Sequence, residues 1–340
     1  MLTYRYSHTI GLFSNMGGLG FCHPVDLALG RDGVIYVVSR GNFDTEVQWP
    51  GKRVTMCTLD EEYLGEMSGG GTGDGQIMWP AGVALDGDGN VYVSDEALNR
   101  VSVFAPDGDL LCSWGNEGSG KGDFNRPAGI AFDGEDNLLV ADGLNCRIQR
   151  YTKDGRYLGG WGRPGRADGE LNVPWGVHVD RAGNVYVADW RNDRVQKFDA
   201  DGRHLDTWGG PGQGDGEFSR PAGVTVDEDG DIYVADWGNE RVQVLGPEGE
   251  FRAVLYGESG LSKWAKEWFA ANQDEYRARL TADMEPPPDR LSPGSVRHRS
   301  ASTEKLFWGP TSVRVDGQGR VYVVDSMRHR IQIYQKGAAT

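Results

Sequence analysis

The chain has 340 residues, with 35 Lys and Arg against 50 Asp and Glu, and its formal net charge of −15 makes nucleic acid an unexpected partner, because phosphate is repelled unless basic residues gather on one face. No apolar run reaches the ~18 residues that suggest a membrane span, and the opening Met1-Leu2-Thr3-Tyr4-Arg5-Tyr6 has no basic stretch followed by an apolar one, so the expected location is cytoplasmic, with no membrane contact. The four cysteines, Cys22, Cys57, Cys112 and Cys146, include no Cys-x-x-Cys pair and signal neither a disulfide framework nor a zinc site.

In chain order, residues 1–22 hold one strand-like stretch, Tyr6-Ser7-His8-Thr9-Ile10-Gly11, that belongs to no repeat. A first, diverged unit runs over residues 24–79 and is nine residues longer than those that follow. The excess falls at Phe43 to Gly51, which offers Phe43 and Trp49 as aromatics at one rim. Three regular units then start at Pro80, Pro127 and Pro174, a spacing of 47 residues, and a fourth starts at Pro221. Each reads as four strands: a Val-x-Val alternation after Pro-x-Gly (strand A), Tyr-Val-x-Asp (strand B), an Arg-Val-Gln run (strand C), and a stretch closing in Trp-Gly such as Trp161-Gly162 or Trp208-Gly209 (strand D). A strand-built repeat of this length is a propeller blade.

Residues 221–257 make the fifth blade, and an insertion at 258–309 precedes the last unit, 310–340, which stops after its strand C. The N-terminal stretch then supplies the missing strand D and closes the ring, which removes the exposed sheet edges that invite aggregation. Within the insertion, Leu261, Trp264, Ala265, Trp268, Phe269, Asn272, Tyr276 and Leu280 follow helical spacing and predict one amphipathic helix from Ser262 to Ala282, ended by Asp283 to Pro288. That helix is read as a lid over the channel mouth or a docking element for a protein partner. The basic stretch from Arg290 to Arg299, rich in Pro and Ser, is read as a mobile, solvated loop.

The fold class is therefore all-β: a six-bladed propeller of four-stranded blades, closed by the N-terminal strand, with one helical insertion. The residues Pro-x-Gly-Val/Ile, Tyr-Val-x-Asp, Asn145-Cys146-Arg147-Ile148-Gln149, Asn239-Glu240-Arg241-Val242-Gln243 and the loop Gly214 to Phe218 resemble the NHL-repeat family of six-bladed propellers. The resemblance covers nearly the whole chain except the insertion. It implies the fold rather than the activity, because such propellers host RNA-binding, protein-binding and enzymatic sites.

Subtracting the repeat from itself isolates the candidate site. Between the core hydrophobes of strand A the six units carry Ala28, Ala84, Ala131, His178, Thr225 and Arg314, so three blades place polar groups near the axis. His178 as general base and Arg314 as an oxyanion or carboxylate clamp are the catalytic candidates. The alternative is that His178 bonds a neighbouring blade and Arg314 pairs with a carboxylate to plug the channel. At one rim, Trp175, Trp190 and Trp237 form an aromatic side and Asp26, Arg40 and Glu96 a charged side, with Arg191 close by. That combination suits an organic ligand with a polar group, or a peptide, and Trp264 and Trp268 join it if the helix is a lid.

No catalytic set is complete. Propeller lactonases resembling gluconolactonase are expected to hold calcium with Glu, Asn and Asp, yet the corresponding strand A starts here are Val25, Ala81, Ala128, Trp175, Ala222 and Thr311. Asp26 and Glu96 are left as the carboxylates able to contribute, and no ligand set for a divalent cofactor is recognisable. Amidating lyases of the NHL fold are expected to use three channel histidines on zinc, and of the six His here His178 alone is suitably placed. The first expectation is thus a propeller that binds a small organic ligand or peptide, the second a lyase or hydrolase around His178 and Arg314, and the third an interaction scaffold.

Overall fold

The computed structural model describes residues 3–31, 33–42, 51–285 and 296–337, and the expected rim aromatics Phe43 and Trp49 lie outside them. Six four-stranded antiparallel sheets surround an axis. In blade 4 the strands are Pro174–Val179, Val185–Asp189, Arg194–Phe198 and His204–Gly209, in that spatial order. Blade 6 combines Pro310–Val315, Arg320–Asp325 and Arg330–Lys336 with the N-terminal strand Tyr4–Ile10, paired antiparallel from Tyr4 against Lys336 to Ile10 against Ile331. Both ends of the chain therefore meet in one sheet, as the missing strand D implies.

The repeated polar residues form the same network in blades 3, 4 and 5. In blade 4 the fully buried Asp189 accepts hydrogen bonds from Arg194 Nε at 2.9 Å, Asn192 Nδ2 at 2.8 Å, Gln196 Nε2 at 3.1 Å and the Asn172 backbone N–H at 2.7 Å. The guanidinium of Arg194 then donates to the carbonyls of Arg166, Ala167 and Glu170, which ties the loop from the previous blade to strands B and C. The Asn-x-Arg-Val-Gln pattern is thus a clamp on the inter-blade connection. The apolar core lies between blades: one cluster joins Leu139 and Ile148 of blade 3 to Val177, Val187 and Phe198 of blade 4.

The insertion departs from its expected form. Instead of one helix over 262–282 it folds as α1 (Lys263–Ala271) and α2 (Gln273–Thr281), broken at Asn272, with α3 (Val296–Ser302) after them. Trp264 and Ala265 are buried, while Trp268 is 42% and Leu280 66% exposed, so only the first turn of the apolar stripe is fully covered. That partner is the seam where the ring closes. In blades 3 and 4, strand D ends in Trp161 and Trp208, whose rings lie so close to Gly202 and Gly249 in the next blade's turn between strands C and D that an added Cβ would meet them at 2.5 and 2.0 Å. Blade 6 carries Ile10 at the same register, paired with Ile331 as Trp208 is with Val195, and blade 1 has Glu61, at φ 59°, where the glycine stands.

Trp264 fills that gap. Its ring joins Ile10, Phe21 and Ile331 in one cluster, and its Nε1–H donates to the Glu61 carbonyl at 2.6 Å. The Glu61 carboxylate accepts the backbone N–H groups of Lys263 at 2.5 Å and Trp264 at 3.2 Å, while Ser262 caps the same helix end through Oγ, which accepts from the Ala265 N–H at 2.9 Å.

Candidate functional site

Around the axis the six strands A converge until side chains no longer fit. A Cβ at Gly129 would lie 2.5 Å from the Trp175 carbonyl and one at Gly176 2.6 Å from that of Ala222. Blades 1 and 6 carry Asp26 and Ser312 at this register, and Ser312 Oγ donates to Asp26 Oδ1 at 2.6 Å. Arg314 completes the plug, with Nη2 at 2.8 and 2.9 Å from the two Asp26 oxygens and Nε donating to the Leu27 carbonyl at 3.2 Å. About 10 Å³ of free space is left. Asp26 therefore belongs to the channel plug and not to a charged side of the rim, because its donors come from strand A of the neighbouring blades.

His178 lies toward the other end of the channel. Its Nδ1 is 3.3 Å from Oγ1 of the buried Thr225, and its Nε2 is buried with no hydrogen-bond partner. It borders a cavity of about 460 Å³ together with Asp180, Arg181, Tyr186, Glu228 and Asp316. Burial, reinforced by the charge of Arg314, pushes the imidazole down to about 4, so it is neutral at physiological pH. His178 and Arg314 line different cavities, and the structure does not bring them to one point.

The rim at which strand A starts and strand B ends is different in kind. Trp175, Trp190 and Trp237 form a continuous row, with ring centroids 6.3 and 6.4 Å apart. Arg191 and Arg220 lie over Trp190 at 5.8 and 5.1 Å, and Arg40 and Arg126 over Trp79 at 5.6 and 5.7 Å. Arg40 also pairs with Glu96 at 2.7 Å, and burial raises the Glu96 carboxyl against the opposing pull of Arg40. Sequence reasoning missed Trp79, Arg126 and Arg220. The available signal was position: Arg126 and Arg220 directly precede the strand A prolines Pro127 and Pro221.

A latch explains why that position is displayed. Asn99 and Asp193, in the left-handed region just before strand C, accept the backbone N–H of Arg126 at 2.8 Å and of Arg220 at 2.7 Å in the next blade. Glu240 does the same for Gly309, and His329 Nδ1 for His23 at 3.0 Å.

Among the described residues, helices α1 and α2 of the insertion do not line the plugged channel. With blade 6 the insertion forms a separate open pocket of about 490 Å³, bordered by Phe13, Phe269, Arg279, Glu304, Arg328 and His329 among others. Trp264 is packed in the seam and Trp268 faces solvent, because the seam draws the helix outward from the mouth. The basic stretch is also not wholly a solvated loop: residues 290–295 lie outside the described residues, whereas Arg297 in α3 sits 4.4 Å over Trp237 and pairs with Glu240.

Among the described residues, one group of three carboxylates is tight enough for a metal, Asp227, Asp229 and Asp231. The Lys336 ammonium stands inside it, at 2.6, 2.8 and 2.7 Å, so a cation position is filled by the chain itself. Asp26 and Glu96 form no such group.

Residues 124–151, 171–198, 218–245 and 307–334 each match the family described as NHL repeat. The chain is an NHL-repeat six-bladed β-propeller. Each matched stretch of this NHL propeller runs from the connection before strand A through strand C, which is the span of the Asp, Asn, Arg and Gln clamp. No curated protein matches the sequence. Among solved structures it is similar to a streptogramin B lyase (11% identity, 98% of each chain covered, TM-score 0.57). It is also similar to a catalytically inactive virginiamycin B lyase from Staphylococcus aureus with quinupristin (11% identity, 98% of this chain and 99% of that one, TM-score 0.56). A protein of unknown function from Bacteroides thetaiotaomicron gives 18% identity over 99% of this chain and 77% of that one, with a TM-score of 0.64. At these identities the likeness is one of fold. None of the helices among the described residues is long and apolar enough to cross a membrane.

Proposed function

We propose that this NHL propeller is a binding protein that takes an anionic organic ligand, an organic acid or an acidic peptide, on the tryptophan and arginine rim around its plugged channel. One observation carries the reading. Arg126, Arg191 and Arg220 are exposed and lie against indole faces, and among the described residues their guanidinium groups have no hydrogen bond or ion pair. In a chain of net charge −15, cations are expected to be consumed by carboxylates. At the opposite end they are: Lys153 reaches Asp88 and Asp136 at 2.8 and 2.7 Å, and Lys336 sits among three aspartates. An arginine held over an indole by cation–π attraction keeps its fork free for a carboxylate.

The test is calorimetric titration of wild type and the Arg191→Ala/Arg220→Ala double variant with citrate, a Glu-rich peptide and oligouridine. Carboxylate binding weakened about 10-fold in the variant, and by added salt, supports the reading. Citrate alone or the peptide alone decides between the two carboxylate sources, and tighter oligouridine binding, or no carboxylate binding, overturns it.

A second reading, a lyase or hydrolase around His178, is favoured by the orphaned Nε2 on its cavity. Arg314 does not serve it, being held by Asp26. The neutral imidazole is then the group to follow, with His178→Ala abolishing any turnover.

A further inference from the structure

Blade 5 breaks the latch pattern in a way the rim reading does not use. Asn99 and Asp193 hold the next blade through one short side-chain oxygen. Glu240, at the same left-handed position with φ 54°, is 2% exposed and holds the Gly309 N–H with Oε2, which leaves Oε1 over. Oε1 receives Arg297 Nη1 at 3.2 Å, and the same guanidinium lies 4.4 Å over the Trp237 ring. A buried carboxylate oxygen beside an indole face is the chemistry that recognises a guanidinium: charge-assisted hydrogen bonding from one side and cation–π attraction from the other.

The group that fills it is only partly covered. Arg297 keeps 38% of its side chain exposed, and α3, which carries it, is seven residues long. The other charges facing Glu240 are Asp325 and Arg328 of blade 6; Asp325 is paired with Arg330, and Arg328 is spent on the carbonyls of Ser300 and Thr303 at 2.6 and 2.8 Å. No other cation replaces Arg297 at Oε1 among the described residues. Burial pushes the Glu240 carboxyl up to about 7, with the Gly309 N–H and Arg297 pulling it down, so the site carries its full negative charge only above neutrality.

We propose that Trp237 and Glu240 form a recognition site for a guanidinium group, filled here by Arg297 as a built-in ligand, and that an arginine side chain of a partner peptide displaces Arg297 from it. The site takes the opposite charge to the one proposed for Arg126, Arg191 and Arg220, and it stands or falls separately.

The experiment titrates N-acetyl-arginine amide, with N-acetyl-citrulline amide as the uncharged comparator, into the full-length protein while following the Trp237 indole resonance, assigned with Trp237→Phe. Arg297→Ala is expected to bind the arginine probe about 10-fold tighter than wild type, to ignore citrulline, and to lose the gain when Glu240→Gln is added. The gain also fades as pH falls, because Glu240 takes up its proton more readily once Arg297 no longer pulls its carboxyl down. Arg297→Gln, which keeps a polar, flexible side chain but removes the guanidinium, replaces the alanine variant if the latter melts earlier than wild type. Equal affinity of wild type and both Arg297 variants, or equal binding of citrulline, overturns the proposal.

Discussion

Two junctions between neighbouring blades do the same job with different parts. Between blades 4 and 5, strand D supplies Trp208 to cover Gly249, and Asp193 latches the Arg220 N–H, all from residues of two consecutive repeats. Between blades 6 and 1, the ring is Trp264 from the insertion, the covered turn residue is Glu61, and the latch is His329 on the His23 N–H. The first junction is local. The second draws on the N-terminal strand, the insertion and the last blade, so the closing seam depends on segments far apart in sequence, and that is where the repeat was rewritten.

The largest effect expected is a loss inside the repeat itself. Asp189→Ala removes the acceptor of four donors and leaves the Arg194 guanidinium buried without its carboxylate. Breaking a buried charged pair from one side costs about 3–5 kcal/mol, which denaturant unfolding reads directly. An effect below about 1 kcal/mol would mean that the clamp is not what holds the inter-blade connection.

Trp264→Ala comes next. The cavity it opens at the seam costs about 3 kcal/mol, at the low end for a buried aromatic because the helix end can shift on its exposed side. The same substitution at Trp268, 42% exposed, should fall within about 0.5 kcal/mol. Equal effects at the two tryptophans would show that the insertion binds through its whole apolar stripe, and would break the contrast between seam and regular junction.

How much of this was legible in the sequence follows from where each interaction is encoded. The regular blades were readable because their pattern recurs at a spacing of 47 residues, so the pattern is its own control. Trp175, Trp190 and Trp237 emerged by subtraction for the same reason. Asp26 was assigned to the rim because its partners Ser312 and Arg314 lie 286 and 288 residues away, and no spacing reports such a pair. The single helix over 262–282 assumed that an apolar stripe is buried along its length, whereas the seam offers room for Trp264 and Ala265 alone. Arg126 and Arg220 passed unnoticed since a residue before proline reads as connection, while the left-handed backbone there, with φ 56° and 52°, displays it on the rim.

The smallest effect at neutral pH tests the latches against each other, and it depends on pH. His329 accepts the His23 N–H through Nδ1, so it must stay neutral, and burial with the neighbouring His23 pushes it down to about 3. In the unfolded chain a histidine takes up its proton near 6.5. Between those values the unfolded state binds more protons than the native one, so stability contributed by neutral His329 is complete above about 6.5 and is lost progressively as pH falls toward 3. Asn99 performs the same latch between blades 2 and 3 with an amide, which does not titrate. His329→Asn is therefore expected to leave neutral-pH stability within about 1 kcal/mol of wild type while removing acid sensitivity of about 3 kcal/mol by pH 4. Denaturant midpoints across that range for wild type and variant provide the measurement. Parallel curves would place the acid sensitivity elsewhere, with His178, held neutral at the opposite end of the channel, as the group to replace next.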